Sequence, residues 1–197
     1  MAKARTSSAT RDTAAARRGK AFQPPATVTL PAVLSPGGSD VAFRETLYLM
    51  IHAFDRLTSY REAFGRHIGL TASQFLVLIG TAYRQGRDGV SIRALSDHTQ
   101  LAATHVTTEV GRLIDKGLLT KQANPNDRRG VLVRLTPKGE AAVREVNPLL
   151  RRVNDCLFAN ISRADFAVVA RFLATFALNI ETANAEIRRA ERERAAG

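Results

Sequence analysis

LAATHVTTEVGRLIDKGLLTKQANPNDRRGVLVRLTPKG, residues Leu101 to Gly139, sets an amphipathic helix, two short strands and a basic turn within one compact stretch. Val106, Val110, Leu113 and Ile114 recur at intervals of four, three and one, which at about 100° per residue is a single buried stripe. The far side then holds Thr104, Thr108, Arg112 and Asp115, flanked by His105, Thr107 and Gly111. Hydroxyls, an imidazole and a guanidinium are groups that hydrogen-bond base edges and phosphates. Such a helix fits a major groove about 12 Å wide, and a hairpin tip carrying arginine can reach the minor groove beside it. Asp115 would repel phosphate, so it is expected beyond the groove, paired with Arg112 at i,i+3. Gly111 weakens the helix interior by roughly 1 kcal/mol relative to Ala. Taken alone, this face is also what an ordinary solvated helix presents.

Its neighbours give it context. Ser91 is placed to N-cap a short helix from Ile92 to His98 with Ile92 and Leu95 inward, and a brief turn at Thr99 to Leu101 leads into the second helix. Helix, tight turn and helix make a helix-turn-helix pattern. Lys116-Gly117 closes the second helix with a C-terminal glycine. Leu118 to Gln122 and Val131 to Leu135 read as strands around Asn124-Pro125-Asn126-Asp127-Arg128-Arg129-Gly130, a turn longer than a simple hairpin needs. Two consecutive arginines follow an aspartate there, so the carboxylate can orient one guanidinium while the other approaches phosphate.

These residues resemble the MarR (multiple antibiotic resistance regulator) family of winged-helix proteins over roughly residues 43 to 190. The most specific piece is Asp127-Arg128-Arg129 followed by Leu135-Thr136-Pro137-Lys138-Gly139, similar to the family's wing motif. Leu70-Thr71-x-x-Gln74 with Leu78, Leu95, Val106-Thr107 with Leu113, and Lys116-Gly117-Leu118 support it. The resemblance implies that Thr104 to Arg112 form a recognition helix, that Arg129 is the minor-groove arginine supported by Asp127, and that Arg128 touches the sugar-phosphate backbone. Ala102-Ala103 departs from the family, where many relatives carry polar residues, and implies fewer contacts at the start of that helix. Thr136 and Pro137 open a further helix with a threonine N-cap and a first-turn proline. Asn147-Pro148 interrupts it and should make it kink or restart.

The fold class expected is mainly α with a small β-wing: a winged helix-turn-helix lobe joined to N- and C-terminal dimerisation helices. Residues 1–40 form a basic, flexible arm, 41–69 an N-terminal dimerisation helix, 70–136 the DNA-binding lobe, and 137–197 C-terminal helices completing the dimer interface. In the arm, Pro24, Pro25, Pro31, Pro36 and Gly37-Gly38-Ser39 bar continuous helix, and Lys3, Arg5, Arg11, Arg17, Arg18 and Lys20 could reach phosphate or only solvate the tail. The apolar piece Val28 to Leu34 could dock on the body or on a partner subunit. Phe43, Leu47, Met50, Phe54, Leu57, Phe64 and Ile68 step by fours and threes, broken by Arg61, and Phe166, Val169, Leu173, Phe176, Ile180 and Ile187 keep similar spacing. Such stripes need apolar cover, which two copies intertwined across a two-fold axis would provide.

A net charge of +11 over 197 residues favours a polyanionic partner without choosing among DNA, RNA and anionic membrane. No uninterrupted apolar run of about 20 residues crosses a bilayer, and no secretory signal is evident, so a cytoplasmic location is expected. The one cysteine, Cys156, lies among Val153, Leu157 and Phe158, surroundings that suit a buried, inert thiol. His52, His67, His98 and His105 are dispersed, so neither a metal nor a cofactor is expected. No nucleophile motif, phosphate-binding glycine loop or ligand cluster marks an enzyme.

The function read from these features is a dimeric, sequence-specific DNA-binding transcriptional regulator acting on a pseudo-palindromic operator. The resemblance implies a repressor released by a small ligand. Thr104, His105, Thr107, Thr108, Arg112, Asp127, Arg128 and Arg129 are the DNA-binding candidates. His52, Arg56, Tyr60 and Arg61 are the effector candidates, since arginine can hold a carboxylate over an aromatic floor and so suits an aromatic or phenolic acid. Side chains snorkelling from a dimer interface would look the same. Alternatives are a winged-helix protein-interaction module and a non-specific architectural DNA binder.

Overall fold

The computed structural model describes residues 22–125 and 127–197, without the side chains of residues 127–129. The six basic residues of the arm and the side chains of Asp127, Arg128 and Arg129 therefore lie outside the described residues. Two compact units divide at Ser59 and Tyr60, within helix α1 (Val41–His67). In the first unit a 3-10 turn, Pro31–Val33, precedes α1, with Leu30 and Val33 exposed. Asp40, buried just ahead of α1, accepts hydrogen bonds from the Thr27 amide at 2.7 Å and the Thr27 hydroxyl at 2.9 Å, and pairs with Arg44 at 3.4 Å. The Thr27 amide holds the Asp40 carboxyl below the usual carboxylate range against the opposing effect of burial, and the Thr27 hydroxyl and Arg44 add to the lowering.

The second unit contains the winged helix. Helix α2 (Ala72–Arg84) opens on a capping box: Gln74 N–H donates to Thr71 Oγ1 at 3.2 Å and Thr71 N–H to Gln74 Oε1 at 3.3 Å. That reciprocal cap is the physical content of the Leu70-Thr71-x-x-Gln74 piece. Strand β1 (Val90–Ser91) leads into α3 (Ile92–Thr99), which Ser91 caps as expected through Ala94 N–H at 3.1 Å. Gln100 takes a left-handed φ of 57°, and Ser96 Oγ donates to Leu101 O at 2.6 Å, fixing the corner before α4 (Ala103–Asp115).

Strands β2 (Leu119–Asn124) and β3 (Asp127–Leu135) form the wing, and the sheet order is β1-β3-β2, all antiparallel. Two findings differ from the sequence reading. Val90–Ser91 is a strand, paired with Val133 and Leu132, too short to leave a periodic signal. The wing also stays paired almost to its tip, where Asn124 faces Asp127, instead of opening into a seven-residue turn. Residues 128–130 fall in a register shift between the pairs Ala123↔Val131 and Asn124↔Asp127. A bulge absorbs the extra residues while the backbone on either side keeps its ladder partners.

The core of the lobe gathers Val77, Leu78, Leu95, Val106, Val110, Leu113, Leu119 and Val133, most of them fully buried. Each large side chain so buried is worth about 1.5–3 kcal/mol. Gly117, at φ 71°, ends α4: its N–H donates to Ile114 O at 2.8 Å and Leu118 N–H to Leu113 O at 2.9 Å, a Schellman motif. Thr136 then donates from its N–H to Leu118 O at 3.0 Å and from its hydroxyl to Gly117 O at 2.7 Å, while capping α5 (Pro137–Leu157) at Gly139 N–H. A Cβ on Gly139 would meet Leu118 O at 2.1 Å, so only glycine lets α5 start against the end of α4.

Helix α5 does not restart at Asn147-Pro148 but runs unbroken to Leu157. An interior proline costs about 3 kcal/mol. Packing on both sides offsets it: Val146 is fully buried against Phe64 and Phe75, and Leu149, Leu150 and Val153 cover the same cluster. Helix α6 (Arg163–Ala196) has no buried residue. Phe166, Val169, Leu173, Phe176, Ile180 and Ile187 are all exposed along it. By length and composition alone it could cross a membrane, with an 18-residue window of mean hydropathy 1.4, whereas the sequence reading saw no uninterrupted run; Arg171 and Glu181 are its interruptions.

Gly139→Ala should destabilise the protein by about 1–3 kcal/mol in urea unfolding. Gly111→Ala, where an added Cβ meets open space, should instead stabilise it by about 0.4–1 kcal/mol. Because the Asp40 carboxyl is lowered in the folded state, its contribution is complete above the ordinary aspartate pKa and lost as pH falls through the lowered value. Amide exchange at Thr27 should accelerate over that acid range, and Asp40→Asn should accelerate it at neutral pH.

Candidate nucleic-acid interface

The α3–α4 corner presents one face of α4 to solvent while Val106, Val110 and Leu113 anchor the other. Thr104, His105, Thr107, Thr108 and Arg112 are all exposed, as the periodicity predicts. The His105 and Arg112 side chains are 45% and 58% accessible, so both can bond to a docked molecule. The threonines are further specified by their own helix: Thr107 Oγ1 donates to Ala103 O at 2.8 Å and Thr108 Oγ1 to Thr104 O at 3.0 Å. Their hydroxyl protons are thus engaged, and what they offer outward are lone pairs, which accept from base amino groups and do not donate to phosphate.

Ala102 stands at the N-cap of α4 without a side-chain hydrogen bond. The first amides of α4 therefore have no intrahelical or capping acceptor, the arrangement in which a helix N-terminus receives an anion. The alanines that imply fewer side-chain contacts leave backbone donors in their place.

Arg112 corrects the sequence reading. Its Nη1 lies 2.8 Å from Glu109 Oε1, not paired with Asp115. Glu109 also lies 3.3 Å from His105 Nε2. Glu109 was missed as a site residue, although its spacing gave the signal: three residues after Val106 and four before Leu113, it falls on the buried stripe and is 3% exposed. A carboxylate buried there draws the nearest guanidinium, while the exposed Asp115 offers only a screened surface pair.

The wing is braced at its base. Leu135 N–H donates to Gln85 Oε1 at 2.8 Å, Gln122 Nε2 to Asp88 O at 3.0 Å, and Arg134 Nη1 to Arg87 O. The backbone of Asp127, Arg128 and Arg129 belongs to β3 near the tip.

The four effector candidates fare differently. His52 and Arg56 belong to the first unit, where both are exposed. In the second, Tyr60 lines an apolar groove of 390 Å³ with Phe64, Leu149, Arg152, Val153 and Cys156, while Arg61 is exposed and in no ion pair among the described residues. Cys156 is exposed in that groove, not buried as its neighbours suggested. Among the described residues no group of three His, Cys, Asp or Glu is placed to hold a metal.

The model of the MarR family matches residues 68–130, which run from the end of α1 through the wing tip. The chain is 38% identical over 74 residues to the multiple antibiotic resistance protein MarR of Salmonella typhimurium, a match covering 38% of this chain and 49% of that protein. It thus spans about half the length of that relative. It is 26% identical over 138 residues to the HTH-type transcriptional regulator MhqR of Bacillus subtilis, covering 68% of this chain and 93% of that one. Among solved structures, Bordetella bronchiseptica BpsR superposes with a TM-score of 0.54 at 27% identity, over 66% of this chain and 91% of BpsR. With the helix-turn-helix, the braced wing and the capping residues where the family motifs fall, the chain is similar to the MarR family of winged-helix proteins over residues 68–130.

Proposed function

We propose that this chain is a DNA-binding transcriptional regulator which acts as a homodimer on a pseudo-palindromic operator, in the cytoplasm, as a repressor released by a small aromatic or phenolic acid. The observation that carries it is the exposed face of α4. There the hydroxyl acceptors of Thr107 and Thr108, the imidazole of His105 and the guanidinium of Arg112 stand on a helix locked by its buried stripe. The side chains read base edges, and the uncapped amides at the start of α4 hold a phosphate. Arg129 enters the minor groove with Asp127 in support, and Arg128 touches the backbone. The similarity to MarR of Salmonella and to MhqR supports the reading.

Two copies are needed because α6 buries nothing on its own and leaves its apolar stripe to solvent. A second α6 is the complementary surface that a two-fold axis supplies. Two lobes yoked in this way read half-sites about 34 Å apart. An acid that prefers another lobe spacing releases the duplex, by as much as its affinities for the two states differ. The DNA binding of BpsR is regulated by 6-hydroxynicotinic acid, which supports a ligand of this class. The groove beside Tyr60, with Arg152 in its lining, gives an aromatic carboxylate a surface to pack on.

Selection from a randomised duplex pool should enrich a two-fold-related motif, with binding that weakens steeply with salt. Failure to enrich any duplex would contradict the proposal. Arg129→Ala should cost about 1–3 kcal/mol of affinity for the enriched duplex. Ala102→Asp should move stability and binding in opposite directions: the new cap stabilises α4 by about 1 kcal/mol, while its charge displaces the phosphate. For the ligand, a panel of aromatic acids should include one that releases the enriched duplex, with Arg61→Ala blunting release more than binding. Unchanged affinity across the panel would contradict that mode.

A further inference from the structure

Glu109 is an anomaly on the reading helix: a carboxylate 3% exposed, one turn from His105 on one side and from Arg112 on the other. Its Oε1 meets both, at 3.3 Å and 2.8 Å, and its Oε2 is buried with no hydrogen-bond partner among the described residues. Burying a carboxylate is strongly unfavourable unless it is paired, so its charge draws His105 and Arg112, its partners among the described residues, toward the helix surface. Arg112 answers with one Nη1 bond, while 58% of its side chain stays accessible and its other N–H groups remain free to bond.

Charge balance indicates what those N–H groups meet. With the carboxylate beneath it, the Arg112–Glu109 pair carries no net charge, so its pull on phosphate is largely cancelled. Directional hydrogen bonding survives, and the major-groove partner that suits a planar fork is guanine, through O6 and N7. A tethered guanidinium also surrenders less rotamer freedom on docking than a free one.

We propose that Glu109 is a positioning residue for sequence readout: its buried carboxylate aims the Arg112 guanidinium at a guanine edge, and so sets specificity without touching DNA. This rests on the assignment of α4 as the DNA-reading helix. Binding-site selection from a randomised duplex pool tests it with the full chain and three variants, Arg112→Ala, Glu109→Leu and Glu109→Gln, each checked for folding by thermal unfolding.

The wild type should enrich a motif with a guanine column that Arg112→Ala erases. Glu109→Leu should weaken the preference for guanine in that same column by about tenfold. It should also bind unrelated duplexes as well as the wild type or better, because a negative charge is gone. Glu109→Gln, which keeps the shape and an acceptor but not the charge, should fall between the two. A purely structural Glu109 would instead lower affinity for all sequences alike, and that result overturns the proposal. So does a guanine column untouched by Glu109→Leu, or by Arg112→Ala. If Glu109→Leu does not fold, Glu109→Gln decides: a weakened guanine column supports the proposal, and a wild-type column overturns it. A wild type that enriches no motif defeats the DNA-reading assignment itself, and this inference with it.

Discussion

The backbone corner at Leu118 organises the lobe. One carbonyl there accepts from Thr136 N–H at 3.0 Å and lies against the Cα of Gly139, while the adjoining Gly117 carbonyl accepts the Thr136 hydroxyl at 2.7 Å. Through those contacts the Schellman end of α4, the base of the wing and the first turn of α5 share one point. Helix α4 cannot turn relative to the wing, or either relative to α5, without breaking bonds at a site with no room for a Cβ. This gives physical meaning to the run Leu135-Thr136-Pro137-Lys138-Gly139: a strand end, a cap, a residue prepared for a helical first turn, and a glycine required by close approach.

Rigidity at that corner matters because recognition depends on where side chains are held. Thr107 and Thr108 spend their protons on their own helix, and Arg112 is tied to a carboxylate that is itself sunk in the stripe. A surface that looks from composition like a loose set of polar groups has most of its donors and acceptors already assigned. Fewer side-chain degrees of freedom remain to be lost on docking.

Much of the lobe was legible because its signals are local. The period of α4, the Ser91 and Thr136 caps and the Gly117 terminator each depend on neighbours within a few residues, and each stands where the sequence put it. What escaped depends on contacts between distant segments. The two-residue strand Val90–Ser91 exists through β3. The wing's pairing near its tip is a matter of register, which composition reports only as a basic turn. Helix α5 passes through Pro148 because Phe64 and Phe75 hold Val146. Glu109 escapes for a different reason: its charged type suits solvent, while its spacing points inward.

Two chains laying two copies of α4 against successive major grooves is the central claim, and hydroxyl-radical footprinting of a selected duplex, with the mass of the complex measured by sedimentation, tests it most directly. Two protected patches about one helical turn apart and two chains per duplex are expected. A single patch with one chain bound, or protection without a fixed position on the duplex, would contradict it.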